Sequence, residues 1–484
     1  MSKKGIVIIF AVTSIFLFIN GVGNFGYENR SKFVQIEALL LCFLLISMGA
    51  WKFINYLAEE KVFVVLYCIK SKMRIAETVG MIVLLLVALI TRILAAIFVK
   101  TSVQENEFLH EDVLFPAQRV MQDILAPFQG ISIGAIEGYE VFNIVMSILA
   151  IVLVYLIVKI MYGRSGAFTA LLICALWPSH IFGIAYGSDK YFGTMLFLAA
   201  LYFFFMFRRV KGWPVFSVLA GIALGVLAYM QTSMYILFVL FIASAFVKGE
   251  EGRNRTFGEN FIKRIPAVAI SVIVALLVIS GVNGSVASKL QISKAKITGV
   301  NGYGMLTGMN AESIGNENEE DYEFLIKNYE EGNNPKDAQN VCGWKAVERF
   351  NENKAESFNL MLKKAQYIFG CGANLKLRKD MSQSSMIYLE DAYYLLILLA
   401  TGFLAIELLM RTQRGNINLI ILTGILITIS GAIFMFEETI QMQFGFLLAI
   451  CGSAIVSIVY HRGLGYEITD NDSVEEQQEE EIVN

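Results

Sequence analysis

Two neighbouring carboxylates, Glu111 and Asp112, stand in an acidic and amphipathic stretch, FLHEDVLFPAQRVMQDIL at 108–125, of a chain that is otherwise mostly hydrocarbon-seeking. Ahead of them, an apolar run from about 79 to 99 reaches the roughly 20 residues a bilayer crossing needs, and 142–158 can cross back. A carboxylate pair beside a low-dielectric boundary costs free energy to keep there, so it points to function as well as to a solvated loop. A second constellation, Ser188, Asp189 and Lys190, opens the apolar run that ends near 207. Ser188 and Asp189 suit an N-cap that accepts free backbone N–H groups, while Lys190 could meet an anionic head group. Lys363, Lys364, Lys376, Arg378 and Lys379 lie just before another apolar run; cations there could hold a lipid phosphate or be ordinary helix charge. The late segment FEETIQMQFGF at 436–446 sets Glu437, Glu438, Gln441 and Gln443 between two apolar runs, as interfacial trim or as substrate lining. His180 has no second ligand-type residue at a metal spacing and reads as a packed or interfacial histidine. No His, Asp and Cys cluster has metal-ligand spacing, so no obligatory metal is expected.

The elements that position these groups are spans. Of 484 residues 56% are hydrophobic, and the mean hydropathy is +0.59, too apolar for a soluble multidomain protein. About twelve apolar runs recur, near 5–23, 35–57, 78–99, 140–160, 165–186, 188–207, 214–230, 233–247, 263–282, 388–409, 416–435 and 442–460. Lys3 and Lys4 precede the first, but no small-residue cleavage site follows it, so it reads as a retained helix. Basic residues set the orientation. With the N-terminus inside, one set of connectors collects Lys70, Lys72 and Arg74, then Lys159 and Arg164, Arg208, Arg209 and Lys211, and later Lys263, Arg264, Arg411 and Arg414. Both termini are then cytoplasmic, in a plasma membrane, and two long segments face outward, 100–139 and 283–387. A transporter working at the bilayer midplane would keep such loops short.

Within the first loop, two basic residues, Lys100 and Arg119, oppose six acidic ones. Phe115, Val120, Ile124 and Phe128 recur at helical spacing after Pro116, which predicts a short helix along the membrane surface. Pro178 should kink or end a helix. Gly221 and Gly225, four apart, suit close helix packing. The second loop is acidic over 312–337, with nine acids against two bases, and basic over 345–379, with eight bases against three acids. Its later half reads as two helices broken near Asn351–Asn353, and it is not apolar enough for a separate large domain. Cys342 and Cys371 could pair in an oxidising exterior or remain thiols. The segment after 463 is acidic and poor in apolar residues, hence a disordered cytoplasmic tail.

Taken in order, these stretches resemble the integral-membrane glycosyltransferases of the GT-C superfamily, of the protein O-mannosyltransferase and lipid A aminoarabinose transferase type. HEDVLFPAQRVM (110–121) is similar to their acidic pair followed by a surface helix, and ALWPSHIFGIAYGSDKYF (175–192) to their proline-ended span followed by a Ser-acid pair. MLTGMNAESIGNENEEDYE (305–323) is a looser match, and at 436–450 Gln441 and Met442 stand where the family has an Arg-Tyr pair. The resemblance runs from about residue 73 to 461. It implies an all-α polytopic membrane protein with a GT-C-like arrangement of about twelve transmembrane helices. Two extra spans would occupy 1–77, a membrane core 78–282, the large external loop 283–387, further spans 388–462 and the tail 463–484. It implies transfer of a sugar from a polyprenyl-phosphate donor to an acceptor hydroxyl at the outer face, with inversion and no cofactor. Asp112 is the expected base, with Glu111 the alternative; Lys190, Arg119 and one of Lys376, Arg378 or Lys379 would hold the donor phosphate, Asp189 would support the site, and Glu438 and Gln441 could line it. Expected partners are the polyprenyl-phosphate-linked sugar, an acceptor glycan, lipid or protein, and membrane lipid, with no nucleic acid. The competing readings are a polysaccharide polymerase or ligase of another fold, which would favour more arginines than Arg349 and Arg378 in the large loop, a lipid-linked-sugar transporter, for which Arg92 is the main mid-span charge, and an inactive relative serving as a scaffold.

Overall fold

The computed structural model describes residues 70–98, 113–128, 130–185, 190–209, 213–246, 257–332, 334–369, isolated positions between 393 and 404, 415–435 and 438–463. The chain order is helix α1 (Lys70–Phe98), α2 (Pro116–Leu125), a two-stranded hairpin of β1 (Ser132–Ile133) and β2 (Ile136–Glu137), α3 (Gly138–Leu176), α4 (Pro178–Phe182), α5 (Lys190–Arg209), α6 (Trp213–Met230), α7 (Ile236–Phe246) and α8 (Phe257–Lys289). Then follow α9 (Gly302–Gly308), α10 (Glu319–Gly332), α11 (Pro335–Glu352), α12 (Lys354–Phe369), α13 (Gly415–Ile433) and α14 (Glu438–Gly463). Among the described residues the fold is all-α apart from the hairpin, in which Ser132 pairs with Glu137 and Ile133 with Ile136 in antiparallel register.

Among the described residues five helices are long and apolar enough to cross a membrane: Thr78–Phe98, Gly138–Arg164, Lys190–Arg208, Trp213–Met230 and Arg264–Lys289. A sixth results if Gly166–Leu176 and Pro178–Ala185, bent by 58°, form one broken span, and Thr232–Ser244, Leu419–Ile433 and Thr439–Ala454 are shorter apolar helices. The expected runs at 5–23 and 35–57 lie outside the described residues, as does most of 388–409. Gly163, at φ 74° and ψ −168°, separates the runs expected at 140–160 and 165–186. Only glycine takes that backbone without strain.

Helices α3, α5, α6, α13 and α14 supply most of the interior, where Phe197, Phe204 and Phe241 are fully buried. α1 and α8 lie at the rim: Ile82, Val83, Leu86 and Ile90 of the first and Ile273, Leu276 and Leu277 of the second are exposed, an apolar surface suited to lipid tails. Gly221 and Gly225 let α6 and α8 touch backbone to backbone, since an added Cβ would stand 2.5 Å from the Ser271 carbonyl oxygen or 2.7 Å from that of Ala275.

The segment 302–369 is folded more firmly than its composition suggests. Helices α9 to α11 gather Tyr303, Leu306, Met309, Leu325, Ala338, Cys342 and Ala346 into a second core, and Leu114 and Phe115 complete it. Asn353 caps α11 and α12 begins at Lys354, the break read from the asparagines. Cys342 is a free, fully buried thiol inside this core; Cys371 lies outside the described residues.

Candidate active site at the broken span

Proline at 178 has no N–H to continue the helix, and α3 stops at Leu176. Two carbonyls at the break are taken by Arg92, 0% exposed: its Nη2 donates to the carbonyl oxygen of Cys174 (3.2 Å) and Nη1 to that of Ala175 (3.2 Å), while Nη1 also donates to the Ala88 carbonyl of its own helix (3.1 Å) and Nε to Ser147 Oγ (2.7 Å). The mid-span charge is thus committed to backbone, and what it offers is a cap. Beyond the break, His180 is stacked between Trp177 and Phe446, with ring centroids 4.6 and 4.4 Å apart. It is the packed histidine expected. Tyr191 Oη donates to the His180 carbonyl (2.8 Å), Asn143 Nδ2 to that of Ile184 (3.3 Å) and Tyr139 Oη to that of Ala185 (3.3 Å). Together these hold the bent segment against the starts of α3 and α5.

Lys190, the first residue of α5, is buried, and its chain runs along the bent segment: a Cβ on Gly183 would stand 3.3 Å from Lys190 Cε and 3.5 Å from Nζ. One turn further on, Gly193 leaves room for other polar side chains, its added Cβ falling 3.2 Å from the Gln231 amide and 3.1 Å from Thr439 Cγ2. Gln443 Nε2 donates to Gln231 Oε1 at 2.8 Å, both amides being buried. Lys190, Gln231, Thr439 and Gln443 therefore converge on one end of the bundle. A cation and amides grouped in this way have the donors and acceptors to hold an anionic, hydroxyl-rich group by charge-assisted and neutral hydrogen bonds.

Of the residues singled out from the sequence, Glu111, Asp112, Asp189, Lys376, Arg378 and Lys379 lie outside the described residues. Glu438 opens α14, and Gln441 is half-buried one turn on. Arg119 faces Asp123 (Nε to Oδ1, 3.8 Å), whose other oxygen meets Lys289 Nζ at 2.7 Å; this ties α2 to the end of α8. Gln231 is not among the residues singled out from the sequence, and Gln443 is there as interfacial trim or substrate lining. Their signal was a pair of amides inside otherwise apolar stretches, each needing a buried partner.

The second core reaches the acidic loop through Gln339, itself buried: Nε2 donates to the Leu114 carbonyl (3.0 Å), and Oε1 accepts from Tyr303 N–H (2.9 Å). The Phe115 ring meets Tyr303 edge-on at 5.6 Å. Burial pushes the Cys342 thiol up to about 12. Lys364, 0% exposed, donates from Nζ to the carbonyls of Gly308 (2.9 Å) and Phe434, and Met435 N–H bonds the Gly304 carbonyl at 2.7 Å. Thr232 Oγ1 accepts from Asn301 N–H at 3.0 Å, and Ser430 Oγ donates to the Ser233 carbonyl. The second core is thereby fastened to the turns at 231–235 and 433–435, beside the polar cluster.

Residues 129–280 match the family model described as dolichyl-phosphate-mannose-protein mannosyltransferase. The match spans α3 to most of α8, including the broken helix and Lys190, and bears out the resemblance of the chain to the membrane glycosyltransferases of the GT-C superfamily. No curated protein sequence gives a match. Among solved structures, an Archaeoglobus fulgidus oligosaccharyltransferase tethered to an acceptor peptide is similar at 13% identity and a TM-score of 0.45, over 79% of this chain and 49% of that one. The chain thus spans about half the length of that enzyme. The archaeal oligosaccharyltransferase AglB from the same organism, in complex with an inhibitory peptide and a dolichol-phosphate, gives 13% identity and 0.45, over 80% and 50%. ArnT from Cupriavidus metallidurans bound to undecaprenyl phosphate gives 10% identity and 0.26, over 79% and 77%.

Proposed function

We propose that this chain is a membrane glycosyltransferase that moves a sugar from a polyprenyl-phosphate donor to an acceptor hydroxyl at the outer membrane face, with inversion at the anomeric carbon. The observation that carries the reading is the mannosyltransferase family match across 129–280, which covers the broken span and Lys190. On this reading the donor's phosphate approaches Lys190 at the bundle end, where a lipid tail can stay in the bilayer while its head reaches the polar cluster. Inverting displacement needs one base to take the acceptor proton and a stabilised leaving phosphate. Asp112 is the proposed base, Glu111 the alternative, and Lys190 stabilises the departing phosphate. Gln231 and Gln443 are proposed to bind sugar hydroxyls, with Asp189, Arg119, Glu438, Gln441 and a cation from Lys376, Arg378 and Lys379 contributing around them. The 283–387 segment is proposed as the external unit that braces the acidic loop, through Gln339 and Leu114. The test is to incubate the purified protein with a panel of polyprenyl-phosphate sugars and acceptor hydroxyl compounds. Release of free polyprenyl phosphate with sugar transferred to the acceptor is the expected result; consumption of none of the donors would overturn the reading.

A further inference from the structure

We infer that Arg92 and Pro178 form one device: the proline removes a backbone donor to break the span, the arginine replaces it from a neighbouring helix, and together they set the bend that positions Lys190. The relation of this device to ligand binding rests on the proposed function above.

In an unbroken helix the Cys174 carbonyl would accept from the N–H of residue 178, which proline lacks. Arg92 Nη2 supplies that bond at 3.2 Å, and Nη1 covers the next carbonyl, Ala175, at 3.2 Å. Tyr393 Oη donates to the Ile173 carbonyl at 2.5 Å, so the last turn before the break is served from outside by two side chains. Orphan carbonyls in an apolar interior are costly, and a cation at a helix C-terminus also meets the negative end of its dipole. The guanidinium suits the task because its planar fork can reach three carbonyls and the Ser147 hydroxyl at once, where an ammonium could not. The 58° bend then carries Gly183 onto Lys190 and the His180 carbonyl onto Tyr191. Among the described residues Arg92 bonds backbone carbonyls and Ser147, so its role is that of a positioning residue.

A double-mutant cycle on the full-length protein in detergent tests this, with Arg92→Met, Pro178→Ala and the pair, read by Tm and by binding of undecaprenyl phosphate. Arg92→Met should lower Tm by about 4 °C or more, the order expected for losing buried hydrogen bonds. Pro178→Ala restores the missing N–H, so the double variant should recover at least half of that Tm loss. Binding of undecaprenyl phosphate should not recover with it: both Pro178→Ala and the double variant, their spans straightened, should bind at least tenfold more weakly than wild type. An arginine serving stability alone would regain both together. Additive Tm losses would overturn the device; binding that returns to wild type in the double variant would overturn the positioning role. A wild-type protein that binds no undecaprenyl phosphate would sink the positioning role and the donor reading, while the Tm cycle still decides the Arg92–Pro178 pairing.

Discussion

Arg349 Nη2 lies 2.6 Å from Oδ1 of Asp321, a carboxylate with no exposed side-chain surface, and this pair joins α10 to α11 beneath the acidic 312–323 stretch. Asn318 Nδ2 (2.7 Å) and Asn310 Nδ2 (3.1 Å) donate to the other oxygen. Burial alone would raise the carboxyl, but Arg349, Asn318 and Asn310 outweigh it and hold it below its ordinary 3.8. The unfolded chain therefore binds this proton more readily than the folded one. The stabilisation is complete above about pH 3.8 and is lost as the pH falls through the lower folded value.

Removing one partner of such a pair leaves a buried charge uncompensated, typically at about 3–5 kcal/mol. Arg349→Met should speed hydrogen exchange across 302–352 at neutral pH and leave the 190–230 spans protected. The wild type should show the same local opening only in acid, below about pH 4. Uniform opening of the whole chain in Arg349→Met would contradict a separate second core.

Gln339→Ala removes both the donor to Leu114 and the acceptor for Tyr303 N–H, two buried backbone groups each costing about 1–3 kcal/mol when orphaned. Limited proteolysis should then cut near 113–115 at least tenfold faster than in the wild type. If Gln339 also braces the acidic loop, kcat should fall more than KM rises.

Gly225→Ala forces a Cβ to within 2.7 Å of the Ala275 carbonyl oxygen, and helix backbones cannot yield as a side-chain tip can. Overpacking of this kind costs about 1–3 kcal/mol. Thermal unfolding should register a lower Tm for Gly225→Ala and for Gly221→Ala, and none for Gly281→Ala, where an added Cβ meets nothing within 4 Å.

Cys342, its thiol held up to about 12 by burial, carries almost no thiolate at pH 8. Maleimide should label it only after denaturation, as peptide mass spectrometry would read out. Rapid labelling in the folded protein would contradict the packing of α11 against α9.

The parts legible in the sequence were those with local causes. Pro178 ends its helix, Asn353 divides α11 from α12, Pro116 opens α2, and Gly221 with Gly225 brings two spans together; each is a backbone property of one residue or one spacing. The second core was not legible, because its apolar residues are few and lie in separate segments, with Leu114 meeting Gln339 from 225 residues away. Lys364 reads in sequence as a cation for a lipid phosphate or as ordinary helix charge, yet it is wholly buried on two carbonyl oxygens; no local pattern marks a lysine that caps another helix. Arg119, expected from the resemblance at the donor phosphate, stands beside Asp123 in an ion-pair group with Lys289, the neighbour that i,i+4 spacing in α2 gives it.

In the proposed mechanism a carboxylate of the 111–112 pair takes the acceptor proton while a lipid phosphate departs. The direct measurement is single-turnover sugar transfer from a polyprenyl-phosphate donor by wild type, Asp112→Asn and Glu111→Gln, with donor binding followed in parallel. A fall of about 10²-fold or more is expected in one of the two, Asp112→Asn first, with donor affinity kept. Transfer at the wild-type rate in both variants would contradict it.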